Sequence, residues 1–151
     1  MIDGVTVKKL KVNADARGRL MEVLRADDPL FKKFGQTYVT SVYPGVTKAW
    51  HCHRLQTDHM ACVHGMVRLA LYDGREESPT HGQVLEVAFG VHNPVLVVIP
   101  PGVWHGFQGL GTEESVVLNA PTELYNYTEP DELRLDPHDN KIPFDWRKRD
   151  G

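Results

Sequence analysis

The chain has 151 residues, 41% of them hydrophobic and 25% charged, which fits one ordinary globular domain with a real core. Its longest apolar run, Val95 to Pro101, is far shorter than the roughly 20 residues that span a bilayer, so we expect a cytoplasmic protein with no membrane partner. The net charge of −3, with its one basic run at 147–149, argues against a nucleic-acid partner, and Cys52 and Cys62 are too few for a disulfide framework.

The first element that the sequence predicts is a short helix near Asp27 to Lys33. Asp27 or Asp28 can accept hydrogen bonds from the free N–H groups of a first helical turn. Pro29 suits that first turn, and Gly35 suits the exit. We therefore expect one short N-terminal helix.

The rest of the chain alternates between segments rich in β-branched or aromatic residues and turn-forming residues. We predict strands over Thr37–Tyr43, Met60–His64, Val67–Tyr72, Val84–Phe89, Val95–Ile99 and Ser115–Leu118. Turn residues such as Pro44-Gly45 and Asp73-Gly74 separate them, so hairpins rather than crossover helices should connect the strands. This pattern predicts an all-β sandwich or barrel, followed from Tyr127 by an extended, proline-punctuated wrapping segment.

Residues 45–65 carry the clearest chemical pattern. His51 and His53 alternate along a predicted strand, so both side chains should lie on one face. Trp50 and Cys52 take the opposite, apolar face. The histidine face should therefore border a wet barrel interior or solvent.

A second segment, Ile99 to Phe107, supplies His105 after a rigid Pro-Pro-Gly turn. Strand pairing could bring His105 beside His51. Together with His53 and Asp58 these residues would form a set of three nitrogens and one carboxylate, which suits Fe, Mn, Ni or Zn. A metal-binding protein is therefore one alternative.

These two segments resemble the paired motifs of the cupin superfamily. In that superfamily a glycine, a His-x-His pair, an acidic residue and a closing glycine precede a Pro-x-Gly-x-x-His segment. Here the motifs read Gly45, His51, His53, Asp58 and Gly65, then Pro100, Gly102 and His105, with Gly109 where the superfamily often has asparagine. The resemblance implies that residues 1–151 form a single domain folded as a cupin-type jelly-roll barrel.

Over nearly its whole length the chain is most similar to the dTDP-4-dehydrorhamnose 3,5-epimerases. The matching pieces lie within residues 17–22, 34–36, 48–51, 73–80, 99–107 and 136–146. The resemblance implies an isomerase that removes a proton α to the keto group of a nucleotide-diphosphate-linked 4-keto deoxy sugar, in polysaccharide or deoxysugar biosynthesis. It further implies a homodimer that works without a cofactor.

The resemblance also implies site residues. His51 would be the general base, Asp136 would orient it, and His105 would help to hold the substrate, with His53 beside them. Histidine suits the base role because its ordinary pKa of about 6.5 leaves it largely neutral at physiological pH. The predicted substrate contacts are Arg17, Glu22, Gln36, Tyr38, Lys48 and Arg75. Lys48 reaches the pocket of His51 only if the backbone bends near Ala49, because the two residues have opposite strand parity.

The sequence departs from the family at two positions. Asn119 stands where the epimerases place a tyrosine that serves as general acid, and asparagine cannot deliver a proton. Asp58 lies near the place of a lysine that assists enolate formation. A single-centre epimerisation or reprotonation by water fits these changes better than a double epimerisation.

Two further alternatives stay open at this stage. The segments Trp50 to Arg54 and Val103 to His105 also resemble those of the sugar 3,4-ketoisomerases, in which Tyr38 would line the site. A non-catalytic sugar-binding cupin would have the same fold without the chemistry.

Overall fold

The computed structural model describes residues 1–147, so the basic run at 147–149 lies almost wholly outside the described residues. The strands within the described residues are β1 Thr6–Lys9, β2 Val12–Asp15, β3 Gly18–Met21, β4 Tyr38–Val42, β5 Thr47–Cys52, β6 Asp58–His64, β7 Met66–Asp73, β8 Val84–Gly90, β9 Val95–Ile99, β10 Val103–Leu110, β11 Ser115–Asn119 and β12 Leu133–Arg134. The all-β class is confirmed. Over residues 1–147 there is no helix with the length and apolar character needed to cross a lipid bilayer.

Ten of these strands form two five-stranded antiparallel sheets, and β2 and β3 form a separate hairpin. The first sheet has the order β1-β9-β6-β11-β4, and the second has the order β12-β5-β10-β7-β8. Apolar side chains from both sheets meet in one core, in which Val97 of β9 packs with Leu69 of β7 and Phe89 of β8. The two facing sheets form the sandwich expected of a jelly roll.

Strand β9 illustrates how the sequence pattern leads to this packing. Val95, Val97 and Ile99 point into the core between the sheets, whereas Leu96 and Val98 point to the outer face. That outer face is also covered, because an N-terminal segment packs on it. A strand buried on both faces has an unbroken apolar sequence, and Val95–Ile99 is predicted with its correct bounds.

The extended C-terminal segment covers the outer face of the second sheet. Trp146 packs on Trp50 with 5.1 Å between ring centroids, and both side chains are fully buried. Short strand β12 pairs with β5, so that Arg134 lies opposite His51. The predicted wrapping segment is confirmed, and it brings residues 131–134 beside the histidine strand.

The predicted helix near Asp27 to Lys33 is wrong. The segment forms turns in which Asp28 accepts a hydrogen bond from the N–H of Leu30 at 3.0 Å and its carbonyl accepts one from Phe31 at 2.9 Å. Asp28 also forms an ion pair with Lys8, and Leu30 packs on the outer face of the first sheet. These tertiary contacts fix a turn, and a helix this short does not recover its nucleation cost.

Strand β5 carries a bulge next to the site. His105 of β10 pairs with His51, but Phe107 pairs with Lys48, so two residues of β5 lie opposite Gly106 alone. The extra residue reverses the parity of the strand and turns Lys48 to the same side as His51. The sequence analysis required a backbone bend near Ala49 for Lys48 to reach the pocket of His51, and this bulge is that bend.

Candidate active site

A cavity of about 960 Å³ opens between the two sheets and is lined by both sheets and by the C-terminal segment. Its volume is near the upper end of the range for small-molecule sites. The predicted site residues that line it are Gln36, Tyr38, Lys48, His51, His53, His105 and Asn119. The cavity therefore brings together all three histidines that the sequence analysis singled out.

The imidazole of His51 is held by a carboxylate on its far nitrogen. Its Nδ1 lies 2.8 Å from Oε1 of Glu132, and Oε2 of the same carboxylate accepts a hydrogen bond from Arg134 at 2.8 Å. A carboxylate only accepts hydrogen bonds, so Nδ1 of His51 carries the hydrogen. Nε2 is then the free, basic nitrogen of the ring.

The surroundings of this pair set the charge of each partner. Burial lowers the pKa of His51, and the hydrogen bond and negative charge of Glu132 oppose that effect without cancelling it. Burial raises the pKa of Glu132, but its hydrogen bonds to Arg134 and His51 bring the pKa below its ordinary value. At neutral pH the arrangement is a neutral imidazole bonded to an anionic carboxylate, which is the state that a general base requires.

Asp136 does not take the place predicted for it. Its Oδ1 accepts hydrogen bonds from the backbone N–H groups of His138 and Asp139, both at 2.8 Å, and it lies exposed at a turn. The carboxylate is therefore occupied in stabilising that turn. Glu132, four residues earlier and directly before the short strand β12, makes the contact with His51 that was expected of Asp136.

His53, Asp58 and His105 form a second cluster. The Nδ1 atoms of His53 and His105 face the backbone carbonyls of Asp131 and Val103, so the Nε2 atoms face Oδ2 of Asp58, at 3.6 Å and 3.4 Å. The donor atoms of the three side chains lie within 4.8 Å of one another, and they could hold a divalent cation. Within the described residues His51 lies outside this group, so the four-ligand set expected from the sequence is reduced to three.

Asn119 is the centre of a buried polar network. Its side-chain oxygen accepts the backbone N–H of His59 at 3.0 Å, and its Nδ2 donates to Asp58 at 2.7 Å and to the hydroxyl of Tyr38 at 3.0 Å. These contacts fix the orientation of the amide, because the oxygen faces a backbone donor. Asn119 thereby ties Tyr38 of β4 to the floor of the cavity.

Lys48 and Arg134 are the cations in the cavity lining within residues 1–147. Nζ of Lys48 donates to the hydroxyl of Thr40 at 3.1 Å, and Arg134 is held by Glu132. Gln36 also lies in the lining and accepts the backbone N–H of Tyr125 at 3.2 Å. The cavity rim therefore combines positive charge with polar groups that can contact an anionic ligand.

Two of the predicted substrate contacts lie away from the cavity, on the N-terminal part of the chain. Arg17 is at the tip of the β2–β3 hairpin, where its guanidinium is 2.6 Å from Asp15 and its side chain is 90% exposed. Glu22 pairs with Arg25 at 2.7 Å. Local ion pairs on the surface hold both side chains in this chain, and their contact with substrate stays a prediction.

Arg75 is also engaged elsewhere. Its Nε lies 2.8 Å from Asp73, and the hydroxyls of Ser78 and Thr80 donate to the same carboxylate at 2.6 Å each. The hydrogen bond from Arg75 is the largest of the effects that hold the pKa of Asp73 far below its ordinary value. Arg75 thus stabilises the turn after β7, away from the cavity lining, and its contact with substrate stays a prediction.

Sequence reasoning missed the acidic residues of the tail. Asp131 accepts three backbone N–H bonds from residues 54–56, and Glu132 follows it directly. The signal in the sequence that could have found Asp131 and Glu132 is that two adjacent acidic residues lie in a segment without the hydrophobic periodicity of a helix or a strand. His59, on β6, is fully buried, with its two ring nitrogens at 2.9 Å and 3.0 Å from the carbonyls of Ala120 and Leu30.

Known proteins resemble this chain over nearly its whole length. The family model described as dTDP-4-dehydrorhamnose 3,5-epimerase matches residues 1–150. The chain is 44% identical over 147 residues to the probable low-salt glycan biosynthesis epimerase Agl13 of Haloferax volcanii, covering 96% of this chain and 94% of that protein. It is 42% identical over 146 residues to the spore coat polysaccharide biosynthesis protein SpsL of Bacillus subtilis, covering 97% of each.

A solved structure is similar over the whole fold. The dTDP sugar isomerase from Desulfovibrio desulfuricans G20 matches with a TM-score of 0.93 and 34% identity, covering 99% of this chain and 94% of that one. The likeness includes both sheets and the segments that line the cavity, because almost no residue of either chain falls outside it.

Proposed function

The chain belongs to the dTDP-4-dehydrorhamnose 3,5-epimerase family, an isomerase family, and from that premise we propose that it epimerises a nucleotide-diphosphate-linked 4-keto deoxy sugar by proton abstraction at His51. The observation that carries the proposal is the pair formed by His51 and Glu132 in the wall of the cavity. The names of two relatives refer to glycan and to spore coat polysaccharide biosynthesis, which supports a role in polysaccharide or deoxysugar biosynthesis.

The reaction needs an acidic C–H bond and a base. Hydrogens on C3 and C5 are α to the C4 keto group, so the electron pair left by deprotonation spreads onto the keto oxygen. Nε2 of His51 takes the proton, and the imidazolium that forms is stabilised by Glu132 on its other nitrogen. No electrons leave the substrate overall, so the chemistry needs no redox cofactor.

The diphosphate of the substrate requires cations at the cavity rim. Lys48 and Arg134 line the cavity, whereas Arg17 and Arg75 form ion pairs with neighbouring aspartates outside its lining, so we assign the diphosphate contact to Lys48 and Arg134. Within residues 1–147 the ammonium of Lys48 donates a hydrogen bond to the hydroxyl of Thr40. Arg134 also contacts Glu132, so a bound diphosphate would lie close to the base.

A metal-binding cupin is the second candidate, and the cluster of His53, Asp58 and His105 favours it. A cation there would occupy the space between the two Nε2 atoms and the Asp58 carboxylate. Mass spectrometry of the purified protein, followed by chelation, separates the two candidates. The metal-free proposal predicts that α-proton exchange survives chelation, and loss of exchange that added metal restores would support the alternative.

We also propose that residues 1–151 act as a single cupin domain in a homodimer in the cytoplasm. Strand β4 lies at an edge of the first sheet and carries the exposed side chain of Val39, and the exposed Tyr43 follows directly after the strand. An edge of this kind is suited to pairing with a second copy. The buried free thiols of Cys52 and Cys62 are compatible with a reducing compartment.

The direct test of function is solvent deuterium exchange. The protein is incubated in heavy water with dTDP- and UDP-linked 4-keto-6-deoxyhexoses, and C3 and C5 are followed by NMR. We expect deuterium at one or both carbons together with inverted configuration. A product with its carbonyl at C3 would indicate ketoisomerisation. Binding without exchange on any sugar of the panel would indicate a non-catalytic sugar-binding protein and would overturn the proposal.

A further inference from the structure

Tyr38 and Asn119 form a unit across two neighbouring strands. They are directly opposite in the register of β4 and β11, and Nδ2 of Asn119 donates to the hydroxyl oxygen of Tyr38 at 3.0 Å. The orientation of the amide is fixed, because its oxygen accepts the backbone N–H of His59. The phenolic oxygen of Tyr38 is therefore an acceptor in this contact, and its own hydrogen remains available to another partner.

The position of Tyr38 relative to His51 matters for the chemistry. Both side chains line the same cavity, but Tyr38 belongs to the first sheet and His51 to the second. A ligand between the sheets therefore has a base on one side and a hydroxyl on the other. Inversion of a carbon centre requires this arrangement, since the proton leaves one face and a new proton arrives at the opposite face.

We propose that Tyr38 is the general acid of this chain, held in position by Asn119, an inference that rests on the proposed epimerase function. In the first half-reaction the C–H bond breaks, Nε2 of His51 gains the proton, and the electron pair forms the enolate. In the second, the O–H bond of Tyr38 breaks and its proton bonds to the same carbon from the other face. Solvent then returns a proton to the phenolate and removes one from the imidazolium, so protons and charge balance.

The surroundings of Tyr38 match this role. Burial is the main cause that raises the pKa of Tyr38, and the charges of Asp58 and Glu132 add to it, so the phenol keeps its proton at neutral pH. The Asn119 hydrogen bond acts in the opposite direction, because it stabilises the phenolate that forms after proton transfer. Asn119 cannot protonate the carbon itself, but its hydrogen bond stabilises the phenolate that Tyr38 becomes after it gives up its proton.

This assignment accounts for the departure from the family pattern at Asn119. The epimerases that the chain resembles have their tyrosine acid on the late strand, where Asn119 stands. In this chain the hydroxyl reaches the cavity from β4, one strand over, at the position paired with Asn119. The acid is therefore relocated across the strand pair.

The test compares proton exchange with inversion in Tyr38→Phe. With dTDP-4-keto-6-deoxyglucose in heavy water, we expect this variant to form epimerised product roughly 10²- to 10⁴-fold more slowly than wild type. It should still incorporate deuterium into the substrate with retained configuration, because His51 is intact. Asn119→Ala should reduce inversion in the same selective way.

Two controls make the result decisive. Tyr43→Phe, a tyrosine next to β4 that is 68% exposed and outside the cavity lining, should match wild type in both exchange and inversion. Thermal unfolding of Tyr38→Phe within a few degrees of wild type shows that the fold is retained. Inversion by Tyr38→Phe at the wild-type rate, or equal loss of exchange and inversion in a folded variant, would overturn the assignment. A wild-type protein that exchanges no 4-keto sugar would instead contradict the proposed function itself.

Discussion

The hydrogen bond between His51 and Glu132 defines the chemistry at the scale of single residues. It assigns the hydrogen to Nδ1 and leaves Nε2 free to act as the base that we propose. Because burial holds the pKa of His51 below its ordinary value, the imidazole is neutral at neutral pH. As the pH is lowered, the rate of proton abstraction should begin to fall only at a pH below the ordinary pKa of histidine.

Removing the charge of Glu132 tests this pair. Glu132 raises the pKa of His51, so Glu132→Gln should lower that pKa further and move the acidic limb of the pH–rate profile to lower pH. The plateau rate should fall roughly 10²-fold or more, because the imidazolium loses its carboxylate partner. The measurement is the rate of α-deuterium exchange from pH 4 to pH 9.

Asp136→Asn is the matched control for that variant. Its carboxylate caps a turn, so we expect both the plateau and the acidic limb of wild type. The assignment is contradicted if Asp136→Asn loses activity while Glu132→Gln keeps it, or if the acidic limb of Glu132→Gln moves upward.

At the scale of elements, the site depends on the close approach of β5 and β10 at the bulge. A Cβ atom at Gly106 would lie 2.2 Å from the Cβ of Ala49 and 2.7 Å from its Cα, distances that real contacts do not reach. Only glycine allows β5 to keep this path. The path matters because it directs Lys48 and His51 into the same cavity.

Gly106→Ala should therefore push β5 away from β10. We expect a loss of about 1–3 kcal/mol in the free energy of unfolding and an exchange rate reduced by up to roughly 10²-fold, since small displacements of reacting groups are costly. Chemical denaturation and the exchange assay measure the two effects. Adding Ala49→Gly removes the worst contact and should restore part of both. Wild-type stability and rate in Gly106→Ala would show that the close approach has no such role.

The elements also show what could be read from the sequence. Strand β9 and the shared face of His51 and His53 follow from local patterns of apolar residues and strand alternation, and both are found in the structure. Glu132 could not be found this way, because its contact depends on β12 pairing with a strand about 80 positions earlier. The prediction of a helix near Asp27 is wrong for a related reason. The conformation of that segment is set by contacts with residues distant in sequence, such as the ion pair of Asp28 with Lys8.

At the scale of the whole molecule, the exposed edge of the first sheet should be covered by a second copy. Val39 and Tyr43 are 65% and 68% exposed on or beside edge strand β4. Light scattering should give about twice the 17.1 kDa of one chain at micromolar concentration. Val39→Glu should shift the protein toward the monomer, because it places a charge on the apolar edge. A wild-type mass of a single chain would contradict the dimer.

We propose that Nε2 of His51 removes the α-proton of a bound 4-keto sugar. The most direct measurement is the rate of deuterium incorporation into that sugar by His51→Asn, with binding of the same sugar measured in parallel by calorimetry. We expect the exchange rate to fall roughly 10²- to 10⁴-fold while the affinity for the sugar changes only a few-fold. Exchange at the wild-type rate in His51→Asn would contradict it.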